Sequence, residues 1–312
     1  MNLRRLIEQY IAFQQSLGTP FVTNAQVLRA FGRSMSKRAK IANVRTRDVN
    51  AFLGKTEPVT RTWHSKYSRL RGFFRYAVSR GFIDASPLPD VIARQPPPFV
   101  PYIYSREELR RLLDAIETEP QKNGIGAPTI RVLVLTLYGA GLRLREATNL
   151  TCGDVDLRQS LLTIRNTKFD KTRFVPIGPQ LSEALSLYAK ETRAVRSRSA
   201  ESPFFITRTG GSVIPDTFQH NFRILCDYAG IRRTDCTEQP RIHDLRHTFA
   251  VHRLTSWYQT GADVQRLLPL LSVYLGHVHI RHTQVYLSMT PDLLREAGKR
   301  FENYAAKDHH HD

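Results

Sequence analysis

Apolar positions recur at helical spacing through the first ninety residues. In "LRRLIEQYIAFQQSLG" they fall at positions 3, 6, 7, 10, 11 and 13, before a glycine that predicts a helix end. "TNAQVLRAFGRSM", after a Thr or Asn cap, and "RTRDVNAFLGKT" predict two shorter helices. The longest helix is predicted in "VTRTWHSKYSRLRGFFRYAVSRGFI". Its apolar stripe comprises Trp63, Tyr67, Leu70, Phe73, Phe74, Ala77 and Val78.

Beyond residue 101 the apolar positions mostly keep helical spacing, which extended segments interrupt. "SREELRRLLDAIET" predicts a helix capped by Ser105 and Glu108, and "APTIRVLVLTLYGAGLRLREATNL" predicts a buried helix, a glycine turn and a second helix start. "TCGDVDLRQSLLTIRNTKFDKTRFVPIG" alternates apolar and polar residues, which predicts two strands joined at "TKFDKT". Helical spacing resumes in "PQLSEALSLYAKETRAV", "SPFFITRTGGSVI" predicts a short extended piece with a Gly-Gly turn, and helices with short breaks follow from 215 onwards. The predicted fold class is therefore mainly α with a small antiparallel β-sheet (α+β).

A proline-rich run divides the chain. Consecutive prolines in "RQPPPFVP", residues 94 to 101, exclude helix and favour an extended linker. We predict a helical domain at 1–94, a linker at 95–101 and a second domain at 102–312.

The charge distribution points to a polyanionic partner. The 312 residues carry a formal net charge of +18. Residues 1–95 hold seventeen Lys and Arg against five Asp and Glu, so a third of the chain holds two-thirds of the excess. Double-stranded DNA is the predicted partner. The predicted phosphate contacts on the longest helix are Lys66, Arg69, Arg71 and Arg75; taken singly, each could also be a solvated surface charge.

Other composition features exclude several classes. No run of about 18 apolar residues exists, and the amino terminus lacks a signal-peptide core, so no membrane segment is predicted. Three cysteines without a CxxC pair suit a reducing cytoplasm.

Cationic and nucleophilic side chains lie where predicted helices or strands begin or end. Arg143 and Glu146 lie in "GLRLRE", Lys168 in "TKFDKT", and His277 and Tyr286 in "LGHVHIRHTQVYL". The segment "RIHDLRHTFA", predicted to be an amphipathic helix with one strongly cationic side, adds His243, Arg246 and His247. Guanidinium groups match phosphate oxygens, and a tyrosine can hold a phosphate covalently. The histidines could instead bind zinc, but no HExxH or paired cysteines occur and the arginines repel a dication, so we predict no metal and no cofactor.

Four of these motifs carry a family resemblance. "GLRLRE", "TKFDKTRFVPI", "HDLRH" and "LGHVHIRHTQVY" resemble, in order and spacing, the tyrosine recombinase (phage integrase) family. "YSRLRGFFRYAVSRGFIDASPLP" looks like the end of that family's core-binding domain. The resemblance implies a helical, SAM-like, core-binding domain followed by a catalytic domain.

The resemblance also implies roles. Arg143 and Arg246 would clamp the scissile phosphate, His243 would assist proton transfer or bind a phosphate oxygen, and His277 would hydrogen-bond the phosphate. Lys168 would protonate the leaving 5′ oxygen, and Tyr286 would be the nucleophile.

Three further residues each have two alternative roles. Thr167 and Phe169 flank Lys168 where the family commonly has glycines, so Lys171 is a rival acid or a DNA contact. Arg173 is a structural or phosphate-contacting residue. His247 would support catalysis or satisfy a backbone carbonyl.

The implied activity is site-specific DNA recombination or integration through a 3′-phosphotyrosyl intermediate and a Holliday junction, without metal or ATP. The protein would act in the cytoplasm at the nucleoid, as a dimer on one site and a tetramer in synapsis. Two alternatives are a DNA-binding relative without catalysis and a topoisomerase-like enzyme.

A last helix is predicted in "TPDLLREAGKRFENYAA", residues 290 to 306, with one apolar side. We expect Leu293, Leu294, Ala297 and Phe301 to be exposed there. This helix would pack into a neighbouring subunit or, alternatively, back onto its own chain.

Overall fold

The computed structural model describes residues 1–18, 21–54, 60–89, 94, 100–119, 124–165, 172–193, 199–234, 239–288 and 293–299. The chain forms two compact units, residues 1–99 and 100–312. Most of the predicted linker falls outside the described residues. The fold class is confirmed: helices dominate, and one three-stranded antiparallel sheet is inserted in the second unit.

The described residues of the first unit contain four α-helices and a 3-10 turn at Ile41–Asn43. The α-helices are α1 (Leu3–Ser16), α2 (Val22–Ser34), α3 (Thr46–Leu53) and α4 (Arg61–Ser79). The predicted stripe of α4 is buried except at Val78, which is 37% exposed because it lies at the edge of the buried face. The predicted Thr or Asn cap of α2 is wrong: the helix begins at Val22, after Phe21 in a left-handed conformation with φ 40°.

The second unit begins with three helices, the middle one of which packs against both of the others. They are α5 (Arg106–Thr118), α6 (Ala127–Gly139) and α7 (Leu144–Thr148), and α5 begins at the predicted Ser105–Glu108 capping box. After the sheet come α8 (Pro179–Arg193), α9 (Pro215–Tyr228), α10 (Ile242–Gln259), α11 (Val264–Leu275) and α12 (Arg281–Gln284), with a final 3-10 turn at Val285–Ser288. The apolar α6 packs against both α8 and α10, which places α10 near the middle of the unit.

The sheet contains β1 (Val155–Asp156), β2 (Leu161–Ile164) and β3 (Arg173–Pro176) in that order. Leu162 pairs with Val175, and both side chains are fully buried. The predicted pair of strands in this segment is therefore present. Their connection, which carries Lys168 and Lys171, lies outside the described residues.

Helix α10 does not have the single apolar face that its sequence predicts. Asp244 is 0% exposed and Arg246 only 1% exposed, although both are ionisable. The amphipathic prediction is wrong here because α6, α11 and the final 3-10 turn all pack against α10. A helix covered on several sides places polar residues in the interior, where they need partners.

The segment after the 3-10 turn is helical at 293–299. Leu293, predicted to be exposed, is 0% exposed and packs in the same apolar cluster as Phe249 and Leu254 of α10. Leu294 is 51% exposed, as predicted. For these seven residues the structure favours packing onto the same chain.

Candidate active site

Arg143 lies between a tight turn at Gly141 and the start of α7. Gly141 adopts φ 60°, and a Cβ there would lie 2.5 Å from a ring carbon of Phe249, so the turn requires glycine. Arg143 is the N-cap residue of α7: its backbone N–H and its Nη1 donate to the Glu146 carboxylate at 2.9 and 2.7 Å. Its Nη2 donates to the carbonyl of Gly276 at 3.3 Å. The side chain remains 40% exposed, so part of the guanidinium is open to a ligand.

Glu146 joins three arginines from separate elements. Arg173 on β3 donates to both of its oxygens, at 3.0 and 2.8 Å, and Arg246 Nη1 lies 3.8 Å away. Burial alone would raise the pKa of Glu146, but hydrogen bonds and charge from Arg173 and Arg143 outweigh it and lower the pKa to about 2. Glu146 is thus an anion that holds the cationic groups close together.

Arg246 enters this cluster from the first turns of α10. Its Nη1 donates to the carbonyl of Gly141 at 2.8 Å and its Nη2 to that of Leu275. Burial, together with the neighbouring charge of Arg143, lowers the pKa of Arg246 to about 10, so the group is a cation at neutral pH. The two carbonyls come from turns 134 residues apart in the chain, so the bonds fix Arg143 and His277 around Arg246.

Tyr286 places its hydroxyl against the same cluster. Its ring belongs to the apolar cluster of α10 and α11, and the residue is only 2% exposed. The hydroxyl is hydrogen-bonded to His247 Nδ1 at 3.1 Å. Burial raises the pKa of Tyr286, and the charge of nearby Arg246 opposes that rise. The ring is therefore internal, while the oxygen faces cationic and imidazole groups.

Two imidazoles, those of His247 and His277, lie beside the tyrosine, and a third, that of His243, lies beside His247. The ring of His277 lies roughly parallel to that of Tyr286 at 6.2 Å, and His277 Nδ1 is hydrogen-bonded to Thr283 Oγ1 at 2.8 Å. The His243 ring meets His247 edge-on at 4.8 Å. Burial and adjacent cations lower the pKa of His247 and of His277 to about 3. His243 keeps an exposed surface, but partial desolvation and the charge of Arg246 lower its pKa to about 4, so all three rings are neutral near pH 7.

The sequence analysis did not predict two supporting residues, Asp244 and Thr283. Asp244 is buried and accepts hydrogen bonds from the backbone N–H and the guanidinium of Arg241, at 2.9 and 3.2 Å, which fixes the start of α10. Thr283 orients His277. Neither has a sequence signal, because an aspartate in a first helical turn and a threonine beside histidines are common on surfaces.

The structure brings Arg143, His243, Arg246, His277 and Tyr286 together, with Glu146 and His247 beside them. Lys168 and Lys171 lie outside the described residues. Arg173 fits its structural alternative: its Nε donates to the carbonyl of Tyr274 at 3.1 Å, both Nη atoms engage Glu146, and the side chain is 11% exposed.

The basic residues of α4 belong to the first unit and divide into two kinds. Arg71 and Arg75 are exposed. Lys66 donates to the carbonyl of Phe52 at 3.3 Å and lies over its ring, and Arg69 donates to a backbone carbonyl one turn earlier at 2.6 Å. Arg71 and Arg75 are accordingly the freer of the predicted contacts.

Comparisons with known proteins identify the family of the chain. The phage integrase family matches residues 104–292. A putative integrase/recombinase of Sinorhizobium fredii is 36% identical over 77% of this chain and 78% of its own length. Tyrosine recombinase XerC of Oceanobacillus iheyensis is 31% identical over 88% of this chain and 84% of its own.

Solved structures share the fold. The Tn1549 transposon integrase in complex with transposon right end DNA superposes with a TM-score of 0.70 at 17% identity, covering 98% of this chain and 100% of that one. A lambda integrase dimer bound to a core site gives 0.66 at 17% identity, covering 90% and 96%. The chain belongs to the phage integrase family and is a tyrosine-type site-specific recombinase. The family predicted from the motifs is thereby confirmed.

In the part of the chain that the structure describes, no helix is long and apolar enough to cross a membrane.

Proposed function

We propose that this enzyme cuts and rejoins double-stranded DNA through a covalent 3′-phosphotyrosyl intermediate on Tyr286. The observation that carries the proposal is the position of the Tyr286 hydroxyl, bonded to His247 and adjacent to the buried guanidinium of Arg246. A phenol held beside fixed cations suits attack on a phosphodiester, because those cations offset the charge that develops on its oxygens.

The proposed roles combine the family resemblance with the contacts of the described residues. Arg143 and Arg246 bind the non-bridging oxygens, Glu146 and Arg173 hold the two arginines in place, and His243 and His277 complete the hydrogen bonding. Lys168 supplies the proton for the leaving 5′ oxygen, with Lys171 as its rival. The phosphotyrosyl bond conserves the energy of the cut bond, so a second 5′-hydroxyl can displace the tyrosine without metal or ATP.

Arg246 and Tyr286 expose 1% and 2% of their surfaces, so a phosphodiester reaches them only after part of the second unit moves. DNA binding is proposed to drive that opening, and the exposed Arg71 and Arg75 of the first unit are proposed to contact phosphates.

The wider proposal concerns assembly. The lambda integrase structures include a dimer on a core site and a tetramer on a Holliday junction. We extend both states to this chain as a dimer on one site and a tetramer in synapsis, acting at the nucleoid in the cytoplasm. Residues 293–299 would then detach from the apolar cluster around α10 and pack against a neighbouring subunit only when that assembly forms.

The test is to trap the covalent adduct on a library of nicked duplexes, in which the cleaved strand diffuses away, and to sequence the attached DNA. Tyr286→Phe should bind DNA and form no adduct. Tyr138→Phe is the matched control, because the Tyr138 hydroxyl pairs with His252 Nδ1 at 2.9 Å in a similar way outside the site. Retention of the adduct by Tyr286→Phe would refute the assignment of the nucleophile.

A further inference from the structure

The nucleophile needs a proton acceptor. A phenol attacks phosphorus only as its oxygen loses its proton, and burial raises the pKa of Tyr286 above its ordinary value. At neutral pH the hydroxyl is therefore protonated before DNA arrives. A group within hydrogen-bonding distance has to remove that proton during attack.

Of the three imidazoles at the site, His247 is the one bonded to this hydroxyl. Its Nδ1 lies 3.1 Å from the Tyr286 oxygen, within general-base reach. His277 uses its own Nδ1 for Thr283, and the His243 ring packs edge-on against His247. His247 follows Arg246 directly on α10, so the helix that provides a phosphate clamp also provides the contact to the nucleophile.

We propose that His247 accepts the proton of Tyr286 when the strand is cut and returns it when the strand is rejoined. This inference rests on the proposed function and assigns a step within it. In cleavage, the bond from the tyrosine oxygen to phosphorus forms and the bond from phosphorus to the 5′ oxygen breaks. The phenolic proton moves to His247 Nδ1, and the 5′ oxygen takes a proton from the acid assigned to Lys168.

In rejoining, every transfer reverses. The incoming 5′-hydroxyl gives its proton to the lysine amine as it attacks phosphorus, and the imidazolium of His247 protonates the departing tyrosine oxygen. Protons and bonds balance over the two steps.

The surroundings of His247 suit a base that must begin neutral. Burial, with His243 and Arg246 nearby, lowers its pKa to about 3, so the ring is neutral and can take up a proton when cleavage begins. A phosphodiester brings negative charge next to Arg246 and His247, which favours the imidazolium that forms on His247 during attack.

The test separates proton transfer from simple positioning. In His247→Asn, the side-chain oxygen replaces Nδ1 as a hydrogen-bond acceptor at a similar distance from the backbone but cannot hold a proton. We expect adduct formation, measured in single turnover on a nicked duplex with enzyme in excess, to slow by about 100-fold, at the low end of general-base effects. DNA affinity in a gel-shift assay should stay within about twofold, which also reports that the variant folds.

The matched control is His252→Asn, which alters the other Tyr–His pair on α10, at Tyr138. It should leave the rate within about twofold of the parent. A decrease similar to that of His247→Asn would point to a general weakening of α10 and would overturn the proposal.

In a second measurement, the rate of adduct formation changes only if removal of the Tyr286 proton limits that rate. Replacing Tyr286 with 3-fluorotyrosine gives a more acidic phenol that needs less help from a base. In the His247→Asn background this replacement should recover at least tenfold of the lost rate, whereas in the parent it should change the rate little.

The outcomes distinguish this inference from the proposed function. If Tyr286→Phe forms no adduct while His247→Asn cleaves at the parental rate, His247 is not the proton acceptor and the recombinase mechanism stands. A slow His247→Asn that fluorotyrosine fails to rescue also overturns the inference. If Tyr286→Phe still forms the adduct, both proposals fall.

Discussion

The carboxylate of Glu146 gives the most quantitative prediction. Its pKa is lowered from 4.5 to about 2 in the folded chain, and its side chain is only 10% exposed. At roughly 1.4 kcal/mol for each pKa unit, the ionised form contributes about 3 kcal/mol to folding. That contribution is complete above the unfolded pKa and is lost as the pH falls towards 2. Glu146→Gln should therefore lower the free energy of unfolding at pH 7 by about 3 kcal/mol.

The assay can isolate the second unit, because the chain has two tryptophans. In a Trp63→Phe background, the fluorescence of Trp257 on α10 reports the unit that contains Glu146. Urea titrations would compare Glu146→Gln with Glu117→Gln, whose partner Arg131 lies 3.2 Å away on the surface. The control should lose no more than about 1 kcal/mol, as exposed pairs do. A loss under about 1 kcal/mol for Glu146→Gln would refute its role as the anion that holds the arginines.

Three further results are expected. Gly141→Ala should destabilise the second unit by about 2–5 kcal/mol, because the left-handed backbone is strained and the new Cβ would meet Phe249. Thr283→Val should slow adduct formation about tenfold at unchanged DNA affinity, because His277 loses its hydrogen bond. Folding stability should fall from pH 7 to pH 5 by about 1–2 kcal/mol for each of His247 and His277, since the unfolded imidazoles take protons that the folded ones resist.

Each of these three predictions has a control variant or a result that would contradict it. Gly230 has φ 65° and open space around it, so Gly230→Ala should cost only about 1–2 kcal/mol in the same urea titration. Thr283→Ser keeps the hydroxyl and should cleave at close to the parental rate. For the pH series, stability that rises on acidification to pH 5 would contradict neutral, buried histidines.

The sequence predicted those features that follow from regular spacing. The stripe of α4 repeats at the helical period, so its buried face could be read directly, and the alternation around Leu162 and Val175 revealed the paired strands. The capping box at Ser105 was also predictable, because both of its partners lie within three residues.

Other features depend on contacts between distant segments. Arg246 is buried because carbonyls of Gly141 and Leu275, 105 and 29 residues away, satisfy its guanidinium, and no local pattern encodes those bonds. The pairing of His247 with Tyr286 spans 39 residues and was equally invisible. Leu293 was assigned to an exposed face because helical spacing does not show which neighbour covers an apolar residue.

The central claim is that the oxygen of Tyr286 becomes bonded to the 3′-phosphate of a cut DNA strand. The most direct test digests the trapped protein–DNA adduct with protease and nuclease and identifies the peptide that carries the nucleotide by mass spectrometry. The account predicts a nucleoside 3′-phosphate on Tyr286, and a released strand whose free 5′-hydroxyl polynucleotide kinase labels directly. Attachment to another residue, or a 5′-phosphate on either side of the cut, would contradict it.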